Sequence, residues 1–124
     1  MLGADTDVAV DGALLGKAPD HDGARSHLQG LSGRTHEVHG AVALVRDERE
    51  WCEGAVTRVT FRELDESEID RYLASGEWEG RAGAYAVQGL GASLVERVDG
   101  DLSNVIGLPI PVLTRMMANL QNRE

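Results

Sequence analysis

Lysine is almost missing from this chain: eleven of its twelve basic residues are arginine, and Lys17 stands alone. Cysteine is as scarce. A single thiol, Cys52, excludes an internal disulfide and fits a reducing compartment; with no His or Asp beside it, it reads as inert. No apolar run approaches the ~20 residues of a membrane-spanning helix, and no basic segment precedes an apolar one as in a leader. A cytoplasmic chain with no membrane partner is therefore expected. A basic stripe is absent too, and the net charge is −9, which argues against a nucleic-acid partner. Three nucleotide and nucleophile signatures are missing: there is no Gly-x-Gly-x-x-Gly, no nucleophile-elbow serine, and Gly12 to Lys17 lacks the phosphate-loop spacing. The histidines do not converge either. His36 and His39 fall on opposite faces of an expected strand, and His21 and His27 are six apart, so a zinc site is not expected.

The 124 residues that are present suffice for one core and one domain, residues 1–124. Residues 1–10 read as a short buried strand turning at Asp11-Gly12, with Ala13–Leu15 as hairpin partner. Asp20 caps a helix running to about Gln29, which Gly30 and Gly33 stop. Alternation from Thr35 to Val45 predicts a strand, and Arg46 to Glu50 a charged turn. Trp51 to Phe61 returns as a strand with Thr57, Val59 and Phe61 on one face. Asp65 with Glu68 is a capping box for a helix whose stripe is Ile69, Tyr72 and Leu73, stopped by Gly76. Residues 80–91 read as glycine-rich loop, Leu94 to Val98 as strand, and Gly107-Leu-Pro as the opening of a last amphipathic helix. Strands and helices in this order predict an α/β domain, bordering on α+β, with at least four strands.

Four segments can carry chemistry. The first is GADT followed by GK. Asp5 closes an apolar run and Lys17 follows within reach of one hairpin, a carboxylate and an ammonium suited to phosphoryl chemistry. The second, Ser32 to His36, is either a helix end or a place where Arg34 or Thr35 touches a phosphate or a neighbouring loop. The third is RAGAYAVQG, beginning at Arg81. Its small residues admit a ligand close to the backbone, and the Gln88 amide can donate and accept on a base edge at once. A tight structural turn with Tyr85 packed inward would explain the glycines but not the glutamine. In the fourth, Ser103 and Asn104 read as caps of the final helix.

GADT, LGK, SGRTHEV, the TFREL strand with its capped helix, RAGAYAVQGLGA and GDLSNVIGLP, in this order, closely resemble the Maf family of nucleoside triphosphate pyrophosphatases. The resemblance runs through essentially the whole chain. It implies a Maf/ITPase-like mixed sheet flanked by helices. It also implies hydrolysis of a nucleoside triphosphate to the monophosphate and pyrophosphate, aided by a divalent cation, Mg²⁺ or Mn²⁺. By the same resemblance Asp5 corresponds to the proton acceptor, and is itself open to metal contact, and Lys17 to a phosphate-contacting lysine. Thr6 and Gln88 match positions that set base preference, in the form belonging to the dTTP/UTP branch. Arg81 stands where many members have lysine.

One family segment has no counterpart here: the initial strand and Ser-x-Ser-Pro-Arg-Arg loop, whose arginines are expected to clamp the triphosphate. Residues 1–124 would then be the C-terminal two thirds of the usual domain, with the first strand left an unpaired edge. Two other readings follow from that gap. One is a catalytically silent remnant that binds a nucleotide or a protein partner. The other is a start assigned at an internal methionine. Within the enzyme class, 7-methylguanosine triphosphate is the alternative substrate. The exposed edge and apolar last helix also suggest a homodimer.

Overall fold

The computed structural model describes residues 1–122. Its frame is a five-stranded sheet: β1 (Leu2–Val10), β2 (Ala13–Leu15), β3 (Thr35–Arg46), β4 (Arg49–Phe61) and β5 (Val95–Asp99). The spatial order is β2-β1-β3-β4-β5 and every pairing is antiparallel. Four helices join them in a mixed α/β fold: α1 (His21–Leu31), α2 (Glu66–Ala74), α3 (Leu102–Ile106) and α4 (Ile110–Asn122). None is long and apolar enough to cross a membrane.

Local signals explain most of the elements. Asp11 and Gly12 both have positive φ, as do Asp47 and Glu48, so β1–β2 and β3–β4 close through tight turns whose twist suits a hairpin. Asp20 accepts from the Gly23 N–H and Asp65 from the Glu68 N–H, capping α1 and α2. Arg25 bridges Glu66 and Asp70, holding those two helices side by side. α1 runs through Gly30 to Leu31 before its chain turns at Ser32, two residues beyond the expected end.

Side-chain alternation gives the sheet one covered face. Val8, Val38 and Thr57 lie abreast on it, and Val59 and Phe61 continue it under α1 and α2, against Leu28, Leu31, Ile69 and Leu73. At the other end of the long β3–β4 hairpin, Val42 packs with Val112 and Met116 of α4. The alternate face, with Ala41, Gly54 and Val56, stays exposed. β2 pairs with β1 only at Val8–Val10, so among the described residues nothing pairs the outer edge of residues 2–7.

Between the two clusters sits α3, an element too short for periodicity to reveal. Its Asn104 is fully buried and donates to the Val38 carbonyl at 3.0 Å and to Thr57 Oγ1 at 3.1 Å, tying α3 to β3 and β4. Gly40 makes room for it: a Cβ there would lie 1.8 Å from Asn104 Oδ1. Gly40→Ala is expected to lower stability by about 1–3 kcal/mol through overpacking, read as a lower urea midpoint at unchanged slope. An unchanged midpoint would show that Asn104 can shift freely. The expected cap on the last helix is shared out differently. Ser103 Oγ does accept from the Ile110 N–H at 2.9 Å, whereas Asn104 is a strand bridge.

Candidate active site

A cleft of about 360 Å³ opens at the free edge of β1. One wall is β1 itself, from Ala4 to Val8. The others are Gly16 and Lys17 after β2, the loop from Gly80 to Gln88, and Val105, Ile106 and Gly107 at the end of α3. Asp5, Thr6, Lys17, Arg81 and Gln88, distant in sequence, all line it.

Strand alternation sets the two sides of β1 apart. Thr6 points with Val8 toward the covered face and is half-buried, while Asp5 and Asp7 reach the cleft from its exposed rim. Asp5 Oδ1 accepts from the N–H of Thr6 at 2.9 Å, which leaves its other oxygen uncommitted. Asp7 was missed in the sequence, although a residue two positions from Asp5 on a strand must share its side. Lys17 reaches the site because its segment zips to the glycine-rich loop. Lys17 bridges Ala82 antiparallel, and the Gly83 N–H donates to the Gly16 carbonyl at 3.2 Å. That close approach needs Gly83, whose φ is +72° and whose Cβ would sit 3.1 Å from Val8. Lys17 and Arg81 therefore stand at neighbouring backbone positions, both exposed. Neither forms an ion pair among the described residues, unlike Arg25, Arg62, Arg97 and Arg115.

Tyr85 forms the inner wall and is nearly buried, so it packs inward as weighed for that loop while still lining the cleft. Its hydroxyl lies 2.6 Å from His36 Nε2, and the Tyr85, His36 and Phe61 rings meet edge to face with centroids 4.7–5.4 Å apart. Burial pushes the His36 imidazole down to about 4 and pushes the Tyr85 hydroxyl up. At neutral pH His36 is thus uncharged, its Nε2 hydrogen-bonded with the Tyr85 hydroxyl and its Nδ1 buried without a partner among the described residues. Farther along the same loop, Tyr72 accepts from the Ala86 N–H at 2.9 Å. Gln88 is extended and exposed, and its amide forms no hydrogen bond among the described residues.

Arg34 and Thr35 lie elsewhere. Arg34 pairs with Asp11 at the β1–β2 turn, and the Thr35 hydroxyl meets that of Thr60 at 2.8 Å. The segment is a helix end, with Ser32 closing α1 and Gly33 at positive φ, and its Arg34 also contacts a neighbouring loop. Cys52, far from the cleft, is exposed; its thiol donates to Glu50, and that carboxylate raises its pKa.

Asp5 and Asp7 give the cleft two carboxylates, and no group of three or more His, Cys, Asp or Glu forms among the described residues. This donor set fits a magnesium-like cation, which takes one or two carboxylates and completes its shell with water and substrate phosphates. Two rim carboxylates and two unpaired cations lining one cleft suit a polyphosphate bound with a metal.

Residues 1–120 match the family described as Maf-like protein. Among curated relatives, a dTTP/UTP pyrophosphatase of Hahella chejuensis is 51% identical over 110 residues, covering 89% of this chain and 55% of the relative. That of Methylococcus capsulatus is 47% identical over 120 residues, covering 97% and 59%. That of Pyrococcus furiosus is 43% identical over 118 residues, covering 94% and 62%. The chain thus spans between 55% and 62% of the length of these relatives.

Proposed function

Since the chain belongs to the Maf-like protein family, we propose that its cleft hydrolyses a nucleoside triphosphate, dTTP or UTP, to the monophosphate and pyrophosphate. The observation that carries this reading is the convergence of Asp5, Thr6, Lys17, Arg81 and Gln88 on one cleft, with the two cations and the amide uncommitted. Asp5 takes a proton from a water molecule whose oxygen attacks the α-phosphorus. A bond forms between that oxygen and phosphorus, the bond from the α-phosphorus to the bridging oxygen breaks, and pyrophosphate leaves with the electron pair. Lys17 and Arg81 offset the charge gathering on the departing oxygens. Gln88 offers a donor and an acceptor side by side to the uracil or thymine edge, with Thr6 on the strand beside it. Asp5 and Asp7 are the side chains that would hold a divalent cation, which when bound neutralises phosphate charge.

The names of the relatives, dTTP/UTP pyrophosphatase, support the pyrimidine assignment. A free, exposed Cys52 supports a cytoplasmic setting, and the unpaired edge of β1 supports self-association as a homodimer. The test is product analysis with Mg²⁺ and dTTP, UTP, CTP, ATP and 7-methylguanosine triphosphate in turn. Pyrophosphate and monophosphate are expected, with kcat/KM for dTTP and UTP at least ~10-fold above the others. Orthophosphate as the product, or the methylated guanosine nucleotide turned over fastest, would refute the assignment. Binding of UTP with no hydrolysis would favour the catalytically silent reading.

A further inference from the structure

Gln88 sits in a stretch with no regular structure until the 3₁₀ turn at Gly89–Leu94, yet base selection demands a fixed amide. What holds that stretch lies outside the cleft. Glu77, after the end of α2, accepts from the Leu90 N–H at 3.0 Å with Oε2 and from the Gly91 N–H at 3.2 Å with Oε1. Both oxygens of one carboxylate are thus spent on the backbone just past Gln88. Gly89 runs so near that a Cβ on it would come within 2.6 Å of Glu77 Oε2. On the other side of Gln88, the Tyr72 hydroxyl accepts from the Ala86 N–H. The two sides also meet: a Cβ on Gly91 would lie 1.6 Å from the Ala86 carbonyl oxygen and 3.3 Å from the Tyr72 hydroxyl. Residues 86 and 91 therefore approach each other closely, and are tied to Tyr72 of α2 and to Glu77 just after it, with Gln88 bracketed between them.

We propose that Glu77 is a positioning residue for base selection, its carboxylate gripping the Leu90 and Gly91 N–H groups so that the Gln88 amide is presented to the base. The inference rests on the pyrimidine reading of the cleft given above. A carboxylate suits this task because both its oxygens only accept, and charge-assisted bonds to N–H groups are the stronger kind. A carboxamide cannot replace it, since its NH₂ group would face an N–H and one bond would be lost. The neutral isostere keeps the volume and removes only the grip.

The experiment compares steady-state hydrolysis of UTP and ATP by the wild type, Glu77→Gln, and Glu48→Gln in the remote β3–β4 turn, with melting temperatures alongside. Glu77→Gln is expected to lower kcat/KM for UTP by about 10-fold, chiefly through KM, and to leave ATP hydrolysis unchanged, so that the UTP/ATP ratio narrows by the same factor. Glu48→Gln is expected to match the wild type. Tyr72→Phe, which keeps the ring in the core and deletes only the hydroxyl, should narrow the ratio in the same direction and serves if Glu77→Gln fails to fold. A UTP/ATP ratio unchanged in both variants, or an equal fall for both nucleotides, would overturn the positioning role alone. A wild type with no preference for UTP would overturn the pyrimidine reading, and this inference with it.

Discussion

An Asp5→Asn variant is expected to release pyrophosphate from UTP roughly 10²–10⁴-fold more slowly than the wild type, with KM and melting temperature nearly unchanged. The structure makes this a clean substitution. Asp5 is exposed on the rim, belongs to no core cluster, and has one hydrogen bond, from the N–H of Thr6. An asparagine carbonyl oxygen can accept that same bond in the same place. What disappears is the basic oxygen, so the loss belongs in kcat rather than in folding. Single-turnover rates would separate the chemical step from product release. An Asn variant that turns over at the wild-type rate would take the proton-acceptor role away from Asp5. A large rise in KM with intact kcat would reassign it to binding.

The second large effect is on stability, and it is set by pH. His36 is 1% exposed, and burial holds its folded-state pKa at about 4 against an ordinary value of 6.5. Between those values the unfolded chain binds a proton that the folded chain refuses, so stability rises with pH through the window. Full stability is present above about pH 6.5 and declines as pH falls toward 4, by about 3 kcal/mol in all. Asp65 adds a loss of the same sign at lower pH. Hydrogen bonds from the Glu68 N–H and Ser67 depress its carboxyl below the ordinary 3.8, so its contribution falls away only beneath that value. Urea denaturation at half-unit steps from pH 7 to pH 4 measures the slope. His36→Gln keeps a hydrogen-bonding group for the Tyr85 hydroxyl but cannot titrate, so its stability should stay level across the window. A variant that retained the wild-type slope would place the titrating group elsewhere. Protonation makes Nε2 of His36 a donor to the Tyr85 hydroxyl oxygen and buries a charge behind the inner wall of the cleft in the same pH range.

The legible parts of this molecule were those written in neighbouring residues. Asp11-Gly12, the Asp65–Glu68 capping box and the alternation of Thr57, Val59 and Phe61 each act within a few residues and survive folding unchanged. The lone lysine was legible as a signal because its rarity needed no structure to be seen. Asn104 was not, because it reads as a helix cap until Gly40, distant in sequence, is known to leave space for it. Tyr85 and His36 are a pair made by burial, which no spacing encodes. Arg34 offered a cation, but the turn at Asp11 takes it. Glu77 was not legible at all, because the groups it grips are two backbone N–H groups with no side-chain signature.

The β3–β4 hairpin also bears on the order in which the chain assembles. Closing a two-residue turn costs little chain entropy, and each further pair of this hairpin adds beside the last. The bond from Asn104 to Val38 spans 66 residues, and Lys17 meets Ala82 across a comparable stretch. Such closures become favourable only once a partner surface stands ready. The hairpin is the natural template, and the walls of the cleft are late arrivals on it. A chain slow to close these long loops would present a finished hairpin and an unfinished cleft, so recovery of secondary structure on refolding runs ahead of recovery of the contacts that wall the cleft.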